Sequence, residues 1–107
     1  MSTIHQDTIC AVSTAPGTGG VAIIRVSGPD AIQSVHAIYA PMKSGKSLLT
    51  QKAYTITFGN IVCGDQLVDE VLVSLFRAPH SFTGEDTVEI TCHGSVFIQQ
   101  QILELLI

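Results

Sequence analysis

The sequence predicts an α+β domain, a mixed β-sheet with two helices, on three observations. Short β-branched apolar runs recur along the 107 residues, two segments carry a helical apolar stripe, and turn-forming residues separate them. The length suits one domain. A hydrophobic content of 46% and a mean hydropathy of +0.41 suffice to bury a core.

Residues 8–12 (TICAV) read as a short strand, ended by the glycine-rich loop 13–20. Residues 21–27 (VAIIRVS) are nearly all apolar and read as a central strand. Ser27-Gly28-Pro29-Asp30 then supplies a helix start, with Ser27 as cap, an early proline and an acid three residues on. A helix over 31–39 follows, its apolar positions 31, 32, 35 and 38 falling on one stripe.

Residues 40–51 form a polar, lysine-bearing connection. Two β-rich runs, 53–62 and 67–76, are joined by Cys63-Gly64-Asp65-Gln66, a hairpin turn. A loop over 77–86 leads to a strand at 87–92 (TVEITC), and His93-Gly94-Ser95 turns the chain into a last helix, 96–107. The predicted order is β-β-α-β-β-β-α. The final QILELLI has no glycine stop and no basic last turn, so residues 1–107 read as a single domain cut from a longer chain, which the resemblance given below makes its N-terminal one.

Charged residues make up 13%, about half the ~25% of ordinary soluble domains. So few charges predict that part of the surface is covered by a partner or a further domain. Five Lys+Arg against nine Asp+Glu give a net charge of −4, which argues against this chain gripping a phosphate backbone alone. No run of apolar residues is long enough to span a membrane, and residues 1–10 lack the pattern of a signal peptide. Cys10, Cys63 and Cys92 are odd in number and widely spaced, so neither a disulfide framework nor a zinc knuckle is expected. The expected compartment is the reducing cytoplasm.

Two motifs fail on context. Residues 40–47, ending in Gly45-Lys46-Ser47, fit a relaxed phosphate-loop pattern, but they follow a predicted helix and lead into none. Gly17-Thr18-Gly19-Gly20-Val21-Ala22 fits a relaxed dinucleotide fingerprint, but a strand follows where that motif opens a helix. Those glycines instead let the backbone turn and leave room for a close approach.

Two lone charges inside strands carry the chemistry. Arg25 shares a face with Ile23 and Ser27, and a buried guanidinium needs an anion. It either meets a ligand or pairs with Asp69, Glu70 or Glu89 to stitch the sheet. Glu89 shares a face with Thr87, where a rigid carboxylate can accept two parallel N–H donors or simply face solvent. His93 beside Cys92 lacks further ligands at metal spacing and reads as a corner between strand and helix. No catalytic residue and no metal ligand is assigned, so the chain is not expected to be catalytic alone.

Two blocks carry a family resemblance. The first runs from Asp7-Thr8-Ile9 through Ala15-Pro16-Gly17-Thr18-Gly19-Gly20 to Val21-Ala22-Ile23-Ile24-Arg25-Val26-Ser27-Gly28. The second joins Val68-Asp69-Glu70-Val71-Leu72 to Ala78-Pro79-His80-Ser81-Phe82-Thr83-Gly84-Glu85-Asp86-Thr87-Val88-Glu89-Ile90 and Cys92-His93-Gly94. In this order they resemble the opening of the tRNA modification GTPase family MnmE, also called TrmE, over nearly the whole chain.

The resemblance implies a domain similar to the tetrahydrofolate-binding domain of aminomethyltransferases. It implies a homodimer through this domain and 5-formyltetrahydrofolate or a related folate as one-carbon source for the wobble uridine of tRNA. Arg25 and Glu89 match the family's folate ligands in this portion. GTP and cations would belong to a GTPase domain outside these residues, and the full protein would work with the flavoprotein MnmG and tRNA. Thr18 stands where many members carry arginine, so a contact made by that arginine is not expected here. The rival reading is a structural assembly module in which Arg25 and Glu89 pair and bind nothing.

Overall fold

The computed structural model describes residues 7–14, 19–43, 45–81 and 83–107. Their order is β1 (Ile9–Val12), β2 (Val21–Ser27), α1 (Ala31–His36), β3 (Tyr39–Pro41), β4 (Thr55–Cys63), β5 (Gln66–Phe76), β6 (Thr87–His93) and α2 (Val96–Leu106). The strands form one sheet in the order β1-β2-β6-β5-β4-β3. The α+β class with two helices holds, but every junction is antiparallel, so the sheet is not mixed in strand direction.

Alternation along the strands divides the sheet into two faces. Ala22, Ile24 and Val26 of β2, Val88 and Ile90 of β6 and Val71, Val73 and Leu75 of β5 are buried in one core with Ala31, Ile32 and Val35 of α1 and Ile102 of α2. The opposite face carries Val21, Ile23, Arg25 and Ser27 in register with His93, Thr91, Glu89 and Thr87. No helix of the described residues covers that second face, and Ile9, Val21, Ile56, Phe58 and Leu72 are exposed on it. No helix is long and apolar enough to cross a membrane.

Two predictions around α1 are corrected. The helix stops at His36, and Tyr39–Pro41 forms β3, pairing Tyr39 with Ile61. Pro41 biases its predecessor toward extended backbone, and the Ile38 carbonyl accepts from the Val62 amide, so β4 captures the segment. Ser27 does not cap the helix. Asp30 occupies that position without a side-chain cap bond, and the Ser27 hydroxyl turns across the sheet toward Thr83 and Thr87. Gly28 has φ +142°, and a Cβ there would collide with Thr8, so only glycine makes this turn.

The predicted hairpin forms with Cys63 opposite Gln66 across Gly64 and Asp65, and a bulge between Ile61 and Val62 re-registers β4 on β5. Ser95 caps α2, its hydroxyl accepting from the Ile98 amide at 3.4 Å.

Candidate functional site

Arg25 and Glu89 are direct cross-strand partners on the uncovered face. Arg25 Nη2 and Nε both donate to Glu89 Oε2, at 2.6 and 3.0 Å. The two strand charges thus meet as one ion pair, with side chains 36% and 17% exposed. Asp69 and Glu70, the other partners considered for Arg25, lie on β5, which pairs with β6 and not with β2. Arg25 and Glu89 lie 64 positions apart in the sequence, and strand register brings them together.

Next to the pair lies a group of hydroxyls that the sequence did not single out. Ser27 Oγ is 2.8 Å from Thr83 Oγ1, which is 3.2 Å from Thr87 Oγ1. Ser27 and Thr87 form the next cross-strand couple after Arg25 and Glu89, so β2–β6 register places hydroxyls beside charges. The clue available was the shared parity of 25 with 27 and 87 with 89. On the other side, Ser74 of β5 stands opposite Glu89.

Of the glycines expected to leave room, Gly17 lies outside the described residues, as does Thr18. Gly19 meets backbone: its amide donates to the Gly94 carbonyl at 3.2 Å, and the Gly94 amide donates to the Gly20 carbonyl at 3.2 Å. A Cβ on Gly94 would collide with the Gly19 carbonyl, whereas a Cβ on Gly20 would meet open space. The close approach at Gly19 is therefore made by Gly94, and the space is beside Gly20.

His93 ends β6 and forms the predicted corner. Asp69, only 7% exposed, accepts from the His93 amide at 2.8 Å and sets Oδ1 2.6 Å from Nδ1, while the imidazole itself stays 67% exposed. This second carboxylate pairing was not read from the sequence, because it joins β5 to the end of β6 beyond their paired register. Cys92 points to the core, and burial, helped by the charge of Asp69, pushes its thiol up to about 11. Cys10 is partly buried and likewise raised by burial, and Cys63 is exposed in the hairpin.

Among the described residues, concavities of about 620, 430 and 170 Å³ indent the surface, and neither Arg25 nor Glu89 lines these. The smallest sits on the uncovered face among Val21, Phe58, Leu72 and His93. Gly45-Lys46-Ser47 lines the largest in part, and the strand β3 precedes it, where a helix was expected. The residues after it enter turns, not a helix, so the phosphate-loop geometry is not built. After Gly19-Gly20 comes strand β2, as the rejection of the dinucleotide motif required.

Comparison with known proteins gives a family. Residues 8–107 match the family described as the GTP-binding protein TrmE N-terminus. The chain is 67% identical over 103 residues to the tRNA modification GTPase MnmE of Parabacteroides distasonis, covering 95% of this chain and 22% of that relative. It is 62% identical over 104 residues to the protein of the same description in Bacteroides fragilis, covering 97% and 22%. The counterpart from Porphyromonas gingivalis is 50% identical over 110 residues, covering 100% and 23%. The chain thus spans about a fifth of the length of the relatives it matches.

Proposed function

We propose, from the premise that this chain belongs to the TrmE N-terminal family, that it is the folate-binding and self-pairing domain of a tRNA-modifying GTPase. GTP hydrolysis, work with the flavoprotein MnmG and contact with tRNA belong in this reading to the whole cytoplasmic protein, and the domain is not catalytic by itself.

The observation that carries the folate part is the Arg25–Glu89 pair, half-open in the middle of the uncovered sheet face. The residues fit a reduced pterin. Its exocyclic amine and adjacent ring N–H form a parallel donor pair, and a strand-held carboxylate is the matching acceptor. Arg25 orients that carboxylate through two hydrogen bonds. The bound folate would supply a one-carbon unit.

The test is calorimetric titration with 5-formyltetrahydrofolate. Arg25→Ala and Glu89→Gln should each lose about 2–4 kcal/mol of binding, the range for truncating one partner of a desolvated charged contact. Circular dichroism should show both variants folded. Wild-type affinity in both would favour the rival reading, a structural module in which Arg25 and Glu89 serve only each other.

Self-pairing is supported by the apolar residues left open on the sheet. Ile9, Val21 and Leu72 are 65%, 63% and 43% exposed on one face, and such faces are normally covered. Sedimentation should give a two-fold dimer; an 11.4 kDa monomer at tens of micromolar, about the range a standard interface holds, would overturn it.

A further inference from the structure

A cavity of about 620 Å³ among the described residues is lined by all three lysines of the chain, Lys43, Lys46 and Lys52. It opens where β3 ends. The Met42 amide still donates to the Phe58 carbonyl at 3.1 Å, and the pairing of β3 with β4 ends at Pro41. The gap is walled by Ile56 and Phe58 on one side and by the lysine-bearing segment on the other.

That segment is held in place and does not simply trail across the surface. Leu48 is buried in the core. Arg77 donates from Nη2 to the carbonyls of Gln51 at 2.6 Å and Leu49 at 3.3 Å. Gln51 Nε2 donates to the Thr55 carbonyl at 3.1 Å, and Thr55 Oγ1 to the Lys52 carbonyl at 2.5 Å. The backbone that carries Lys52 is thus anchored at Leu48, Leu49, Gln51 and Thr55, which lowers the ordering cost of binding on that side.

The charge in this cavity runs against that of the molecule. The chain carries −4, yet no acidic residue lines the cavity, and no ion pair found among the described residues uses a lysine. Three like charges sharing one concavity repel each other and lower the potential barrier to an anion. The rest of the lining includes the apolar Met42, Ile56 and Phe58 and the hydroxyls of Ser47, Thr50 and Thr57. Its volume is that of a small-molecule site, and its lining joins a cationic, hydroxyl-rich side to a short apolar wall.

We propose that this cavity binds a small organic anion carrying at least two negative charges on an aromatic or apolar body. The lysines take the charges, the hydroxyls the remaining acceptors, and Ile56 and Phe58 the body. The site is separate from the Arg25–Glu89 pair, and because a folate also carries two carboxylates on an aromatic body, the folate titration is repeated in the triple lysine variant below: folate binding lost in Glu89→Gln but kept in that variant tells the two sites apart.

Phenyl phosphate is the probe, titrated into the 107-residue chain at low salt, with benzyl alcohol, inorganic phosphate and a short single-stranded RNA as comparisons. Phenyl phosphate should saturate, and its affinity should fall at least about tenfold in the Lys43→Gln/Lys46→Gln/Lys52→Gln variant, folded by circular dichroism. It should also exceed benzyl alcohol and inorganic phosphate by about tenfold each. Equal affinity in the triple variant, or no saturation up to about 10 mM, overturns the proposal. So does inorganic phosphate matching phenyl phosphate, since the apolar wall would then add nothing. Lysine-dependent RNA binding without phenyl phosphate binding would replace the small anion by a nucleic-acid surface.

Discussion

The two ends of the sheet treat charge in opposite ways. At the β2–β6 end, a lone cation and a lone anion in apolar strands face each other at 2.6 Å, and a buried carboxylate is taken up by His93. At the β4 edge, three cations share a cavity that contains no anion. Glu89 and Ile56 nevertheless stand in one cross-strand row, through Ser74, so about two strand spacings, ~10 Å, separate a neutralised site from an unopposed one. Charges inside strands must find a partner because the sheet partly desolvates them. Lysines on a loop keep their heads in water and pay no such penalty. An unopposed charge on a loop is thus the one left free for a ligand.

The largest effect expected from this contrast concerns what holds the β2–β6 end together. If the core beneath the ion pair carries the stability, Ile90→Ala should cost about 2–5 kcal/mol in urea unfolding, because Ile90 is fully buried opposite Ile24. A loss no larger than that of Glu89→Gln would reverse the ranking and make the charges the framework.

Next comes Cys92, on the core face of the same strands. Its folded pKa is raised by burial first and by the Asp69 charge second, to about 11 from an ordinary 9.0. A raised pKa means that stability from the neutral thiol is complete below about pH 9 and is lost as pH climbs toward 11. Wild type should therefore lead Cys92→Ala by most at pH 8 and by less near the folded pKa. A gap that stays constant with pH would show that the thiolate is no worse placed in the fold than in the unfolded chain. At neutral pH the exposed Cys63 should be alkylated well before Cys92.

Much of the β2–β6 end was legible in the sequence, and little of the β4 edge was. Arg25 and Glu89 stood out as single charges in runs of β-branched residues, and alternation gave their faces. That they meet depends on hydrogen-bonded register between strands 64 residues apart, which no local pattern encodes. The strand β3 was hidden because Ile38 continues the helical stripe of Ala31, Ile32 and Val35, although the chain has already left the helix there. With β3 unseen, Gly45-Lys46-Ser47 had no wall opposite it. The motif could be rejected as a phosphate loop, but the cavity made by β4 could not be anticipated.

A smaller effect tests the ion pair itself. Glu89→Gln keeps the shape and should cost about 1 kcal/mol of stability, since the pair is partly open to water and solvent screening discounts it. Salt should narrow the difference between variant and wild type. A loss of several kcal/mol, insensitive to salt, would mean the pair is effectively buried and its carboxylate unavailable to a ligand.

The smallest expected effect is at the lysines, and it separates the two ends most sharply. Replacing Lys43, Lys46 and Lys52 by glutamine removes three of the five cations of an already acidic chain. None of the three ammonium groups takes part in an ion pair found among the described residues. Loss of favourable attraction to the nine distant acids opposes relief of repulsion within the cavity, and both are weak through water. The segment is fixed by Leu48, Arg77 and backbone carbonyls, which the substitutions leave intact. Unfolding free energy should therefore change by no more than about 0.5 kcal/mol, as for surface positions without a structural role. A drop of 2 kcal/mol or so, comparable to a core truncation, would place the lysines in the framework and erase the distinction between the two ends.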